Sequence, residues 1–144
     1  MKILLTLFIF LAGSTAILKA QKGYNIVSID GKVLYKSTVG EDTGTIHLKK
    51  VSLRKVKSFT VRFENYKKAV WKRSTWLENE NVTDPAKYSY NLPSPNGTIT
   101  IPASAVRTVL KGRTSVEIWT SLKPKNDMMM VRETRELICK IVID

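Results

Sequence analysis

Hydrophobic and polar residues alternate along several short segments of this chain. In Val56–Phe63, the apolar residues Phe59, Val61 and Phe63 stand two positions apart with polar residues between them. Ser115–Thr120 repeats the pattern around two aliphatic residues and a tryptophan. Such period-2 alternation predicts β-strands that bury one face in a core and expose the other.

Turn residues separate the predicted strands. Further strands are predicted at Tyr24–Ile29, Lys32–Lys36, Gly44–Leu48, Ala69–Leu77, Gly97–Ile101 and Leu137–Ile143. Asp30 and Gly31 stand between the first two of these, and an Asp-Gly pair is typical of a two-residue hairpin turn. About seven or eight short antiparallel strands predict an all-β, immunoglobulin-like sandwich.

The segment 102–111 does not alternate and is predicted to be the single short helix of the fold. Its signals are an N-terminal proline, three apolar residues on one helical face and a C-terminal glycine, namely Pro102, Val106, Val109, Leu110 and Gly112. A single helix between two strands in the C-terminal half of the chain fits a sandwich better than a parallel α/β sheet, in which helices recur between the strands. Residues 78–96 are predicted to be the longest irregular segment, either a surface excursion or a binding loop.

The start of the chain reads as an export signal. Lys2 precedes the apolar run Ile3–Ala12, and small residues follow. A run of about ten residues suits the core of a signal peptide, whereas a bilayer-spanning helix needs roughly 20. We predict a signal peptide over residues 1–20, with cleavage after Ala16 or, preferably, between Ala20 and Gln21, where the chain turns polar.

Two short resemblances refine this prediction. The junction of Ala20 and Gln21 resembles that of many exported proteins from one broad group of Gram-negative bacteria, in which the new terminal glutamine can cyclise. Leu11-Ala12-Gly13-Ser14 resembles the bacterial lipobox, but Ser14 stands where lipid attachment requires a cysteine. We therefore expect a secreted or periplasmic protein with neither a transmembrane nor a lipid anchor.

Residues 21–144 are predicted to form a single β-sandwich domain, because the 124 residues left after cleavage suit one core. Loss of the leader removes Lys2 and Lys19 and lowers the net charge from +12 to +10. A charge of this size concerns partners and solubility rather than fold. Cys139 is the only cysteine in the sequence, which excludes an intrachain disulfide. Its alternation with apolar neighbours predicts a buried core residue rather than a reactive thiol.

No recognisable catalytic, metal-binding or cofactor-binding motif follows the leader. His47 is the only histidine and is predicted to face solvent, which argues against a two-histidine metal site and a Ser-His-Asp site. Glycine-rich phosphate loops and a nucleophile elbow are also missing from the sequence. We expect a non-enzymatic protein without a cofactor. A small secreted hydrolase that uses scattered carboxylates is kept as an alternative.

Basic residues fall into two clusters that suggest a binding surface. The candidate contacts are Lys49, Lys50, Arg54, Lys55 and Lys57 in the first cluster, and Lys67, Lys68, Lys72, Arg73 and Trp76 in the second. On adjacent strands these residues would form a positive surface carrying aromatic rings, suited to anionic glycans or lipopolysaccharide and less to nucleic acid. Alternation places Trp71 in the core and predicts partial exposure for Trp76. The simpler interpretation is that these charged side chains are hydrated on an outer face of the sheet and discourage its edge strands from pairing with another molecule.

The sequence thus predicts an exported β-sandwich protein that binds another protein or an envelope component. Recognition of anionic polymers through a basic face is the main alternative, and addition of a partner's strand to an exposed sheet edge is another. Asn81 and Asn96 stand in N-glycosylation acceptor patterns, which matter only in a eukaryotic secreted protein. Met128–Met130 is predicted to open a strand rather than to form a contact patch.

Overall fold

A computed structural model describes residues 23–38, 43–67, 71–126 and 133–144. The predicted signal peptide with its Ala20–Gln21 junction, Lys68 and Met128–Met130 lie outside the described residues. The strands within those ranges are β1 (Tyr24–Ile29), β2 (Lys32–Thr38), β3 (Gly44–Leu48), β4 (Ser58–Glu64), β5 (Trp71–Glu78), β6 (Ser89–Leu92), β7 (Gly97–Pro102), β8 (Ser115–Pro124) and β9 (Thr134–Ile143). The helices are α1 (Lys50–Lys55), α2 (Ala103–Val109) and a short 3-10 helix (Pro85–Tyr88). None of the helices described has the length and apolar character needed to cross a membrane.

The strands form two sheets. Sheet A has the order β2-β1-β4-β7, and sheet B has the order β3-β9-β8-β5-β6. The prediction of a mostly β, sandwich-like protein is confirmed. The prediction of purely antiparallel pairing is wrong at one place, because β3 runs parallel to β9, with Gly44 opposite Cys139 and Leu48 opposite Ile143. Parallel pairing joins segments that are far apart in the chain, so local sequence carries no signal for it.

The core lies between the two sheets. Phe59 and Val61 contribute from β4 of sheet A, and Ile118 and Ile141 contribute from sheet B. Each of these side chains is fully buried, as the alternation predicts for β4 and β8. Cys139 is also fully buried in this cluster, which confirms its predicted place in the core.

The predicted hairpin at Asp30 and Gly31 is confirmed. Both residues have positive φ, at 47° and 83°, as a type I′ turn requires. The carboxylate of Asp30 accepts hydrogen bonds from the backbone N–H groups of Lys57 and Ser58, each at 3.0 Å. These bonds tie the hairpin tip to the segment that enters β4. Beyond the turn, Leu34 is an extra residue of β2 in a β-bulge, with no partner on β1.

The predicted helix at 102–111 is confirmed as α2. Val106, Val109 and Leu110 are buried, as expected for one helical face. Pro102 ends β7 and precedes the first turn, and Gly112 follows the helix with a φ of +74°. A positive φ after a helix is the conformation in which glycine has no steric penalty.

Two predictions about irregular and helical segments are wrong. The fold contains a second helix, α1, which Leu53 anchors in the core, although its six residues have no side-chain cap. Within 78–96, which was expected to be irregular, the chain forms the 3-10 helix and then β6 at the edge of sheet B. The side chain of Asp84 caps the 3-10 helix by accepting from the Ala86 N–H at 3.0 Å. These short elements depend on tertiary packing, which overrides weak local patterns.

Gly44 permits a close contact between the edges of the two sheets, and its replacement is expected to destabilise the protein. A Cβ atom at Gly44 would lie 2.3 Å from the ring of Tyr35. We predict that Gly44→Ala lowers the free energy of unfolding by about 1–3 kcal/mol through overpacking. In a Tyr35→Ala background the same change is expected to cost only a few tenths of a kcal/mol. Urea denaturation of the four proteins measures both values, and strictly additive costs would contradict this account.

Candidate binding surface at the basic end

The strand registers bring several connecting segments to one end of the sandwich. Ile29 lies opposite Phe59 and Ser58 opposite Pro102 in sheet A, and Leu48 lies opposite Ile143 in sheet B. The hairpin tip, α1, α2 and the start of β8 therefore meet at this end. We call it the basic end and define it by residues 29–34, 48–57, 79–81, 102–114 and 143–144.

The basic end carries a large excess of positive charge. Its nine basic residues are Lys32, Lys49, Lys50, Arg54, Lys55, Lys57, Arg107, Lys111 and Arg113. Its three acidic residues each have a partner: Asp30 binds backbone N–H groups, Glu80 pairs with Arg113 at 2.5 Å, and Asp144 pairs with His47 at 3.2 Å. Nine basic against three acidic side chains give this end a net charge of +6, and Glu80 is the one of the three that pairs with a basic residue of the same end.

All five residues of the first predicted cluster belong to the basic end. Lys49, Lys50, Arg54, Lys55 and Lys57 are exposed. No carboxylate among the described residues forms an ion pair with any of them. Their positive charges are therefore available to an external partner.

A groove of about 510 Å³ lies between α1 and the connection from α2 to β8. Lys50 and Arg54 line it from α1, since residues four apart share a helical face. Its apolar part is formed by Leu53, Leu110 and Ile143. Basic groups around an apolar floor suit a ligand that is anionic and partly apolar.

Three further basic residues of this groove escaped the sequence analysis, namely Arg107, Lys111 and Arg113. They stand near one another but are not consecutive, and only the fold brings them beside α1. Arg107 is held in place because its Nη1 donates to the backbone carbonyls of Leu53 at 3.3 Å and Val56 at 3.2 Å. One feature of the sequence could have indicated them: Arg107 and Lys111 stand four residues apart near the end of the predicted helix, which places them on one helical face.

The second predicted cluster does not extend this surface. Its strand, β5, belongs to sheet B and begins at Trp71 opposite Pro124, at the far end of the sandwich from α1. Lys67 is exposed and Lys72 is half-buried. The two clusters therefore do not lie on adjacent strands, and the single aromatic and basic face that such strands would form is absent from the described residues.

Arg73 is not a surface residue, and its assignment as an external anion contact was wrong. Its side chain is 1% exposed on the inner face of β5. The guanidinium carbon lies 4.0 Å from the ring centre of Phe63 and 4.2 Å from that of Tyr66. Nε donates to the carbonyl of Pro95 at 2.9 Å, and Nη1 donates to Oγ1 of Thr120 at 3.0 Å. Alternation alone places position 73 on the same face as Leu77, which is also buried.

A polar network of buried and half-buried groups surrounds Arg73. The hydroxyl of Tyr66 donates to Oδ1 of Asn25 at 2.6 Å, and burial raises the pKa of Tyr66 to about 12. Burial also lowers the pKa of Arg73, against the opposing effect of the nearby Tyr66 and Glu136. Desolvation likewise raises the pKa of Glu136, although the charge of Arg73 works against that rise. Within this network Arg73 and Asn25 are buried, so the cation itself contacts the interior of the protein and not solvent.

Trp76 is less accessible than expected. It lies on the outer face of sheet B, opposite Trp119, but is only 8% exposed, so the prediction of partial exposure was wrong. The guanidinium carbon of Arg135 lies 5.2 Å from the Trp76 ring centre and 5.0 Å from that of Trp119. Arg135 also pairs with Glu78, which accepts from the indole N–H of Trp76 at 3.0 Å. Trp71, predicted to lie in the core, is only partly buried.

Carboxylates come together at one place in the described ranges, where Glu78, Glu80 and Glu117 line a cavity of about 530 Å³ together with Arg113 and Lys140. Glu78 and Glu117 lie opposite each other on β5 and β8, and each accepts a hydrogen bond from an indole N–H at 3.0 Å. His47 is exposed, as predicted. In the ranges given above, histidine, cysteine and carboxylate side chains form no group of three that would hold a metal ion.

The asparagines of the two glycosylation patterns hold loops together. The Asn81 amide donates to the carbonyls of Val109 and Lys111, both at 2.8 Å. Asn96 accepts from the Tyr66 N–H and donates to the Tyr66 carbonyl, both at 2.8 Å. Each amide therefore has a structural role that does not require modification.

No protein-family model matches this chain, and no curated protein resembles its sequence significantly.

Removal of the buried cation is expected to destabilise the fold strongly. We predict that Arg73→Ala lowers the free energy of unfolding by about 3–5 kcal/mol, because it opens a cavity and leaves the Pro95 carbonyl and Glu136 without their cationic partner. Arg54→Ala, at an exposed position, serves as the control and is expected to change it by less than about 0.5 kcal/mol. Similar chemical-denaturation midpoints for the two variants would refute the role assigned to Arg73.

The buried thiol provides a second test of the core. Burial raises the pKa of Cys139 to about 12, so the reactive thiolate is scarce at neutral pH. We expect Ellman's reagent to label Cys139 slowly in native buffer and at the rate of a free thiol in denaturant. Rapid and complete labelling of the native protein would show that the final strand is not stably packed.

Proposed function

We propose that this protein is an exported, non-enzymatic binding module that contacts an anionic partner through its basic end. The partner is an envelope component or the acidic face of another protein. The supporting observation is the presence of nine basic residues at one end, where the three carboxylates are already engaged. Such a concentration of charge attracts and orients an oppositely charged partner.

The groove supports binding rather than catalysis. Its volume, about 510 Å³, lies within the range of roughly 300–1,000 Å³ that is usual for ligand sites. Its polar side chains are mainly cations, and its one side-chain carboxylate, that of Asp144, pairs with His47 beside the groove. Cations around an apolar floor hold an anion by attraction and need no nucleophile or general base.

The strand order supports the immunoglobulin-like part of the proposal. With β1, β4 and β7 taken as strands A, B and E, sheet A contains the neighbour order A-B-E. With β9, β8, β5 and β6 taken as G, F, C and C′, sheet B contains the order G-F-C-C′. In this assignment β2 and β3 are additions at the sheet edges, and α2 connects strands E and F.

Export is proposed from residues 1–20, whose basic start and short apolar run are typical of a cleavable leader. A secreted or periplasmic location would bring the basic end into contact with anionic envelope polymers and lipids. The absence of an intrachain disulfide is compatible with this location because Arg73 and the apolar core tie the sheets together.

The proposal is tested with a triple variant of the groove. We predict that Lys50→Gln, Arg54→Gln and Lys111→Gln together weaken binding to heparin about tenfold or more at low salt. They should also flatten its salt dependence, because fewer counterions are released. Affinity is measured by titration calorimetry at several salt concentrations.

The matched control is Lys67→Gln, Lys87→Gln and Lys125→Gln, which lowers the net charge by the same amount at exposed positions outside the basic end. Equal losses of affinity in the two triple variants would indicate a response to net charge alone. That result, or no binding by the unaltered protein at low salt, would refute the proposal.

A further inference from the structure

We infer that the basic end docks onto the surface of an anionic lipid bilayer and inserts apolar side chains between the headgroups. This inference rests on the proposed function and specifies the partner of the same surface. The observation that carries it is the position of the exposed apolar residues. Among the described residues, the exposed large hydrophobic side chains are Val33 (58%), Leu34 (41%) and Val51 (65%), and all three lie at the basic end.

The geometry of α1 directs Val51 away from the protein. Successive residues of an α-helix are rotated by about 100°, so Val51 and Leu53 point in nearly opposite directions. Leu53 is buried in the core, which leaves Val51 facing solvent. Lys55 lies four residues after Val51 and shares its helical face. The outermost face of α1 therefore combines an apolar side chain with a cation.

The β1–β2 hairpin supplies the second apolar group. Val33 and Leu34 come after Lys32, the first residue beyond the turn, and the bulge at Leu34 interrupts the regular alternation of β2. Lys32 stands beside them, and the Asp30 carboxylate binds the Lys57 and Ser58 N–H groups. The hairpin tip is thus fixed to the segment that immediately follows α1. Two apolar protrusions, each beside basic residues, are held at the same end of the molecule.

This combination favours a lipid surface over a soluble polyanion. A soluble polyanion would be bound by the cations alone and would leave Val33, Leu34 and Val51 in water. A bilayer of anionic lipids attracts the lysines and arginines through its surface potential and also buries apolar side chains below the headgroups. The groove beside α1 offers its basic rim to a headgroup phosphate and its apolar floor to the adjoining chain.

The test compares vesicles with a soluble polyanion. Vesicles of phosphatidylcholine mixed with phosphatidylglycerol, vesicles of phosphatidylcholine alone, and heparin are each titrated with the unaltered protein, Val51→Ser and Val51→Trp. Of the two kinds of vesicle, we expect only those containing phosphatidylglycerol to bind, with an affinity about tenfold lower for Val51→Ser. Heparin affinity should be equal in all three proteins, because the substitutions leave every charge in place. Tryptophan emission of Val51→Trp should shift to shorter wavelength only with anionic vesicles.

The outcomes separate this inference from the proposed function. Heparin binding without vesicle binding would overturn the lipid inference and leave the proposed function standing, whereas binding to neither would overturn both. If Val51→Ser and the unaltered protein bound the anionic vesicles with equal affinity, the inference that α1 inserts Val51 between the headgroups would be overturned. A concentration-dependent dimer that Val51→Ser dissociates would show that the apolar groups meet a second copy instead, which also overturns it. Circular dichroism establishes that each variant is folded.

Discussion

The burial of one cation, Arg73, constrains much of this structure. An isolated charge in a protein interior is costly, so the surrounding groups must provide what water would have provided. Phe63 of sheet A and Tyr66 supply aromatic ring faces to the guanidinium, which extends from β5 of sheet B. Pro95 and Thr120 accept its N–H groups from two further parts of the chain. One side chain therefore connects both sheets and fixes the loop that precedes β7.

This arrangement divides the basic residues into two kinds. At the end near Arg73, the charge lies inside the protein and is compensated by two rings, a carbonyl, a hydroxyl and a half-buried carboxylate. At the opposite end, Lys50, Arg54 and Lys111 line a groove and have no carboxylate paired with them among the described residues. The buried Arg73 stabilises the fold, whereas the exposed basic residues of the groove can attract a negatively charged partner.

How far the sequence predicted this architecture depends on how local each signal is. The turn at Asp30 and Gly31 and the helix that follows Pro102 are set by backbone preferences over a few residues, and both were predicted. The helix α1 and the parallel pairing of β3 with β9 depend on distant contacts and were missed. Arg73 shows a conflict between two signals, since its alternation indicated burial but its charge suggested exposure. At the basic end, the run from Lys49 to Lys57 was visible in the sequence, whereas Arg107 and Lys111 became part of the site only through folding.

The position of β9 has a consequence for the order of events in folding. This strand lies between β3 and β8, so sheet B remains in two parts until Thr134–Ile143 takes its place. Pairing β3 with β9 closes a long loop of chain, which makes it a slow step that depends on chain topology. Until it occurs, Ile46 has no strand beside it and the core stays accessible to water. A chain that completes its sheet in this order leaves the facing edges of β3 and β8 unpaired until β9 is in place.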